Sequence, residues 1–131
     1  MKRRLARIKA VQSLFQVDMS GTDKEEAISN VLEEDETKDA FLERLVSGTL
    51  ENLTDIDEVF LNHLQNYKLD RVGNVDRAVI RMAIFEMKYL EEIPVNVSMN
   101  EAVDVAKSFG GEESGRFVNG VLSKVAETLR V

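Results

Sequence analysis

The chain has no cysteine and no tryptophan, one histidine and one proline. Without cysteine there are no disulfides, no thiolate zinc sites and no cysteine nucleophile. That composition is compatible with the cytoplasm, where the protein is expected to act. The one histidine, His63 beside Leu64, offers no histidine metal cluster and no catalytic triad;. No apolar run approaches the roughly 18 residues of a membrane span. The basic N-terminus lacks an uninterrupted apolar segment after it, so a secretory signal is not expected. Glycine-rich phosphate loops are missing, and Asp55, Asp57 and Glu58 do not have calcium-loop spacing;. The chain is expected to be no enzyme and to need no cofactor or metal.

What remains is an ordinary globular composition, 44% hydrophobic and 31% charged over 131 residues. That length suits one domain with a real core, spanning 1–131. The formal net charge of -7 argues at first against nucleic acid. Its distribution reverses the argument. Residues 1–16 hold Lys2, Arg3, Arg4, Arg7 and Lys9 with no acid, whereas residues 17–62 hold 14 acids against 3 bases. A phosphate at the basic end feels mainly local charge, because the Debye length is about 8–10 Å at physiological salt. Bulk acidity is thus compatible with a small, restricted RNA contact.

Apolar periodicity runs at helical spacing throughout. Leu5, Ile8, Val11, Leu14, Phe15 and Met19 predict a first helix over 3–19, ending near Gly21. Asp23 and Glu26 have capping-box form ahead of Ala27, Ile28, Val31 and Leu32;. The acidic run 33–36 is expected to be a solvated connection. A third helix follows from Phe41, Leu42, Leu45, Val46, Thr49 and Leu50. A fourth, capped by Thr54, buries Ile56, Val59, Phe60 and Leu64. A loop over 66–73 is expected to anchor through Tyr67 and Leu69.

The fifth segment, about 75–91, differs from the rest. Arg77, Arg81 and Lys88 fall on one narrow stripe, and nearly everything else is apolar. Such a helix is expected to be central, packed on several sides. Glu86 lies opposite the stripe and needs a partner; Arg116, Lys107 or a backbone donor are the candidates. Pro94 then forces Ile93 out of helical geometry. Ser98 and Glu101 form a second capping box, Met99, Ala102, Val103, Ala106 and Phe109 share one face, and Gly110 is placed as a left-handed cap;. A last helix carries Phe117, Val118, Val121, Leu122, Val125 and Leu129 inward. Gly120 interrupts it at a cost of about 1 kcal/mol relative to Ala, which predicts a tight helix crossing. The expected fold is an all-α bundle of about seven helices.

Function is sought first in the basic first helix. Arg3 and Arg7 are one turn apart, and Lys9, Ser13 and Gln16 are placed on its polar side. Guanidinium groups bind phosphate bidentately and stack on bases, which suits single-stranded RNA. A bland reading stands beside this one: a soluble basic helix that meets the acidic run 33–36 within the same chain. Phe15 likewise has two uses, as core or as a ring stacked on a base. Asn100 and Asn119 have none that spacing reveals.

Three blocks sharpen the choice. The string from Ser98 to Gly110 continues into Arg116-Phe117-Val118-Asn119-Gly120-Val121-Leu122. Arg7 to Gln16 forms a second block and Asn74 to Glu86 a third. In this order they resemble the NusB family of bacterial transcription antitermination factors. The resemblance implies two packed helical subdomains, about 1–66 and 67–131. It implies binding of single-stranded boxA RNA together with NusE, a small-subunit ribosomal protein, in the antitermination complex of RNA polymerase. It places Arg3, Arg4, Arg7, Lys9, Gln12 and Phe15 on the RNA side, and Asp76 and Glu113 near partner surfaces. Relatives often carry tyrosine where Phe15 stands, so stacking survives here without a phenolic hydrogen bond. The N-terminal module of some ribosomal RNA cytosine methyltransferases is similar too, but their cofactor domain has no room in 131 residues. The alternative is a helical protein-interaction module without direct RNA binding.

Overall fold

Ala6, Ala10, Val11 and Leu14 recur on one side of α1 (Arg3–Ser20) and are buried;. The helix stops at Gly21, which takes a left-handed φ of 66° and donates its N–H to Val17 O;. In the computed structural model that gives these positions, residues 1–64 and 68–129 are described. The carboxylate of Asp23 caps α2 (Lys24–Val31) by accepting from the Glu25 N–H at 3.1 Å;. Asp39 does the same for α3 (Ala40–Glu51), accepting from Phe41 and Leu42 N–H groups at 3.0 Å each.

The start of α4 (Leu53–Asn62) differs from expectation. Thr54 is already inside the helix, and Asn52 holds the cap position without a side-chain capping bond. Its amide turns back instead, donating to Gly48 O at 2.8 Å and closing α3. A 3-10 turn at Leu69–Arg71 leads into α5 (Asn74–Tyr89). Leu69 packs against the core as expected. Tyr67 and the proposed subdomain boundary near residue 66 lie outside the described residues.

Helix α6 (Val95–Leu129) begins directly after Pro94, whose carbonyl accepts from the Ser98 N–H at 3.2 Å. Ser98 is therefore inside the first turn and is not a cap; its hydroxyl has another use. The left-handed glycine is Gly111 (φ 74°, ψ −163°), not Gly110. A side chain would be strongly strained there, so this glycine divides α6 into arms over 95–110 and 112–129. Among the described residues there are six α-helical spans and no strand. Counting the two arms separately gives the seven helices expected.

Helix α5 is the central element. It packs against α1, α3, α4 and α6, and its side chains from Arg77 to Met87, Arg81 excepted, are buried. The tight crossing occurs where α3 meets α5, since a Cβ on Gly48 would lie 2.0 Å from Phe85 Cζ. The expected crossing at Gly120 is absent: open space surrounds that glycine. No helix among the described residues is long and apolar enough to cross a membrane.

Candidate nucleic-acid interface

The basic residues of α1 separate into a buried set and an exposed set. Arg7, Val11 and Leu14 stand at i, i+4 and i+7, so Arg7 shares the core-facing stripe;. Only 2% of Arg7 is exposed. Its Nε and Nη2 donate to the two oxygens of Glu86 at 2.9 and 2.7 Å. Glu86 also accepts from the Ser98 hydroxyl at 2.9 Å. The partner sought for Glu86 is thus Arg7, with Ser98; it is neither Arg116 nor Lys107.

Helix α2 covers the face that carries Lys9, Ser13 and Gln16. Lys9 is 6% exposed and donates to Val31 O and Glu36 Oε1, both at 2.7 Å. The expected chain-internal contact with the acidic run is real, and it orders the loop after α2. Glu36 in turn accepts from the Glu33 N–H at 2.8 Å, and both contacts hold its carboxyl below the ordinary range. Ser13 is fully buried and returns its hydroxyl proton to Lys9 O. Gln16 accepts from Asn30 Nδ2 at 3.0 Å.

Lys2, Arg3 and Arg4 remain at the accessible end. Lys2 has no ion-pair partner among the described residues. Arg3 places its guanidinium 4.2 Å from the centre of the Phe41 ring, and Arg7 lies 5.3 Å from the same ring;. Arg4 is held by two carboxylates of α6, Glu101 and Asp104. The terminal ammonium lies 3.5 Å from Asp39.

From Arg4 the seam between α1 and α6 leads to a groove of about 580 Å³. Phe15 and Phe109 line it, with Val11 and Val75 as apolar surface and Gln12, Gln16 and Asn30 as amides. Phe15 is half-buried and Gln12 exposed. Phe109, expected in the core, is 39% exposed. A ring-lined slot with amides can receive a planar heterocycle and hydrogen-bond its edge. At a 1.5 Å rise per residue, Arg4 and Phe15 stand roughly 16 Å apart along the helix, a span of a few nucleotides.

Asp76 and Glu113 line one cavity of about 290 Å³ beside the Gly111 break, together with Arg71, Ser114 and Phe117. Ser114 donates to Asp76 Oδ2 at 3.4 Å. Burial, and then the negative charge of Glu113, push the Asp76 carboxyl above its ordinary range despite the Ser114 hydrogen bond. The resemblance placed both acids near partner surfaces, and the fold sets them in the lining of one cavity. Sequence reasoning missed Phe109, Glu101 and Asp104 as accessible groups. Phe109 follows the helical spacing of Ala102 and Ala106, so its exposure was not visible in the local pattern.

These features define a small all-helical binding module with a cationic end, an aromatic groove and a separate acidic cavity. The family model for the NusB family matches residues 4–127, and the chain belongs to that family. The transcription antitermination protein NusB of Halalkalibacterium halodurans is 51% identical over 130 residues, covering 99% of this chain and 97% of that protein. The corresponding Bacillus subtilis (strain 168) protein is 55% identical over 125 residues, 95% of each chain. T. maritima NusB superimposes with a TM-score of 0.87 at 35% identity, covering 97% of this chain and 92% of that one. A crystal structure of antitermination factors NusB and NusE in complex with dsRNA matches with a TM-score of 0.86 at 31% identity, covering 96% of both chains.

Proposed function

We propose that the protein is a transcription antitermination factor that binds boxA RNA jointly with the ribosomal protein NusE and delivers both to elongating RNA polymerase. It acts by assembly in the cytoplasm, without a chemical step. The observation that carries this reading is the near full-length match to a NusB that forms a complex with NusE and RNA. The exposed Lys2–Arg3–Arg4 end and the aromatic groove on the same seam support it.

In this reading Arg3 and Arg4 meet phosphates, while Gln12 and the Phe15 ring receive a base in the groove. Arg7 and Lys9 serve the same surface from beneath, by fixing α1 on α5 and α2. Asp76 and Glu113 face a basic partner, where their charge steers association. Joint binding raises affinity because each bound partner increases the other's local concentration.

One observation favours the rival reading of a protein-interaction module: Arg4, Arg7 and Lys9 already have carboxylate partners within the chain. A gel-shift titration with boxA RNA, with and without NusE, separates the two. A shift that strengthens with NusE is expected. No shift under either condition would leave the interaction module as the answer.

A further inference from the structure

Arg4 carries two carboxylates from α6. Its Nε and Nη2 donate to Glu101 at 3.2 and 2.6 Å, and Nη2 also donates to Asp104 at 2.8 Å. The cluster lies at the surface, with 54% of the Arg4 side chain and 47% of Asp104 exposed. The Glu101 hydrogen bond, first of several causes, raises the Arg4 pKa, and Arg4 in turn holds the Glu101 carboxyl below its ordinary range. Neither acid caps α6, which starts earlier at Val95. Both belong to the Ser98–Gly110 string, whose polar residues packing alone does not require.

We infer that Glu101 and Asp104 are affinity- and selectivity-setting residues that stand in for phosphate on Arg4 until RNA displaces them. The inference rests on the RNA-binding reading above and deepens it. Carboxylate and phosphate present the same paired oxygens to a guanidinium fork. Displacement therefore exchanges like for like, and Arg4 contributes little net attraction to a bare RNA backbone. An RNA held only by its phosphates gains least from such a site. One also held by a base in the Phe15–Phe109 groove, or by a second protein, can keep a phosphate against Arg4 and complete the exchange. The device thus lowers backbone affinity for every RNA and makes the additional contacts decisive.

The cluster also has a resting place for the displaced acid. Arg7 Nη1 lies 3.5 Å from Glu101 Oε1, so Glu101 keeps a buried cation beside it when Arg4 turns outward. Asp104 is exposed and returns to water.

The test is a fluorescence-anisotropy titration of boxA RNA and a scrambled RNA of equal length over a series of salt concentrations. It compares the full-length protein with Glu101→Gln/Asp104→Asn, with Arg4→Ala, and with the combination. The double variant is expected to bind both RNAs tighter, the scrambled RNA by roughly 10-fold and boxA RNA by about 3-fold, so that the preference for boxA narrows once two exposed pairs are removed. Its salt slope should steepen by about 0.7, the value for one additional cation releasing counterions from a single strand. In the Arg4→Ala background the gain should disappear. Asp104→Asn alone, which alters only an Arg4 contact, should give about 2–3-fold and guards against any folding defect at Glu101.

Unchanged affinity and slope in both carboxylate variants would overturn the inference. So would a gain that persists without Arg4, because it would then reflect only the removal of negative charge. A parent protein that binds neither RNA, alone or with NusE, overturns the RNA reading itself, and that result is visible before any variant is compared.

Discussion

The Arg7 guanidinium grips both oxygens of the Glu86 carboxylate at 2.9 and 2.7 Å, and neither side chain is more than 3% exposed. With the Ser98 hydroxyl as a third partner, this buried ion pair ties α1, α5 and α6 together. Removing one member of such a pair strands the other charge away from water. Arg7→Ala and Glu86→Ala are each expected to lose about 3–5 kcal/mol of stability, measurable by urea unfolding followed by circular dichroism. Glu86→Gln, which keeps a hydrogen-bond acceptor, should lose less and leave RNA affinity unchanged. A large affinity loss in a well-folded Gln variant would give Glu86 a direct role in binding.

Arg3 should behave in the opposite way. It is exposed, and its described contact is the face of the Phe41 ring. Arg3→Ala is expected to cost no more than about 1 kcal/mol of stability, the value of an exposed cation–π contact. It should nevertheless weaken boxA binding and flatten its salt dependence by about 0.7 in slope. Equal effects of Arg3→Ala and Arg7→Ala on salt slope would contradict the division of α1 into accessible and buried cations.

Two glycines give a paired test of packing. Gly48→Ala would drive its methyl into the Phe85 ring, 2.0 Å from Cζ, in the middle of the α3–α5 contact. Overpacking of this kind costs roughly 1–3 kcal/mol. Gly120→Ala meets open space within a helix and should stabilise by up to about 1 kcal/mol;. Thermal melts of the two variants are expected to move in opposite directions.

Asp76 makes stability depend on pH. Burial and Glu113 raise its carboxyl pKa in the folded protein above the unfolded value. The folded state then binds more protons than the unfolded state between those two values, so this group's contribution falls as pH rises through that window. The penalty is complete above the folded pKa and absent below the unfolded one. Asp76→Asn is accordingly expected to stabilise near neutral pH, with the advantage vanishing in acid. Unfolding curves at neutral and acidic pH check the sign, and a variant less stable at neutrality would contradict it.

Each element was legible in the sequence where local chemistry fixes it. The helical spacing of Val11 and Leu14 located α1, and Gly21 and Asp23 mark its end and the next beginning; Leu5 and Met19 of the expected stripe are exposed, and Ala6 and Ala10 take the buried face instead. The central position of α5 followed from its nearly continuous apolar circumference. Caps were less legible at Thr54 and Ser98, because each lies beside a competing group, Asn52 in one case and Pro94 in the other. The site was only half legible. Charge counting located a basic end, but it could not say which cations face water. Arg7 gave a sign of its fate, since it shares the heptad-like stripe of Val11 and Leu14; Lys9 gave none, because its covering helix, α2, folds over from a separate segment.

Chain chemistry alone settled the helical class, the order of the helices and the concentration of positive charge at residues 1–16, since propensity, periodicity and charge are properties of neighbouring residues;. Tertiary packing settled the rest. It chose Glu86 for Arg7, Glu36 for Lys9 and the Glu101–Asp104 pair for Arg4, partners between 27 and 100 positions away along the chain. It also set Phe15 beside Phe109 and Asp76 beside Glu113. Pairings at such separations depend on how helices cross, and the crossing is decided by side-chain shape across the whole core rather than by any local run of residues.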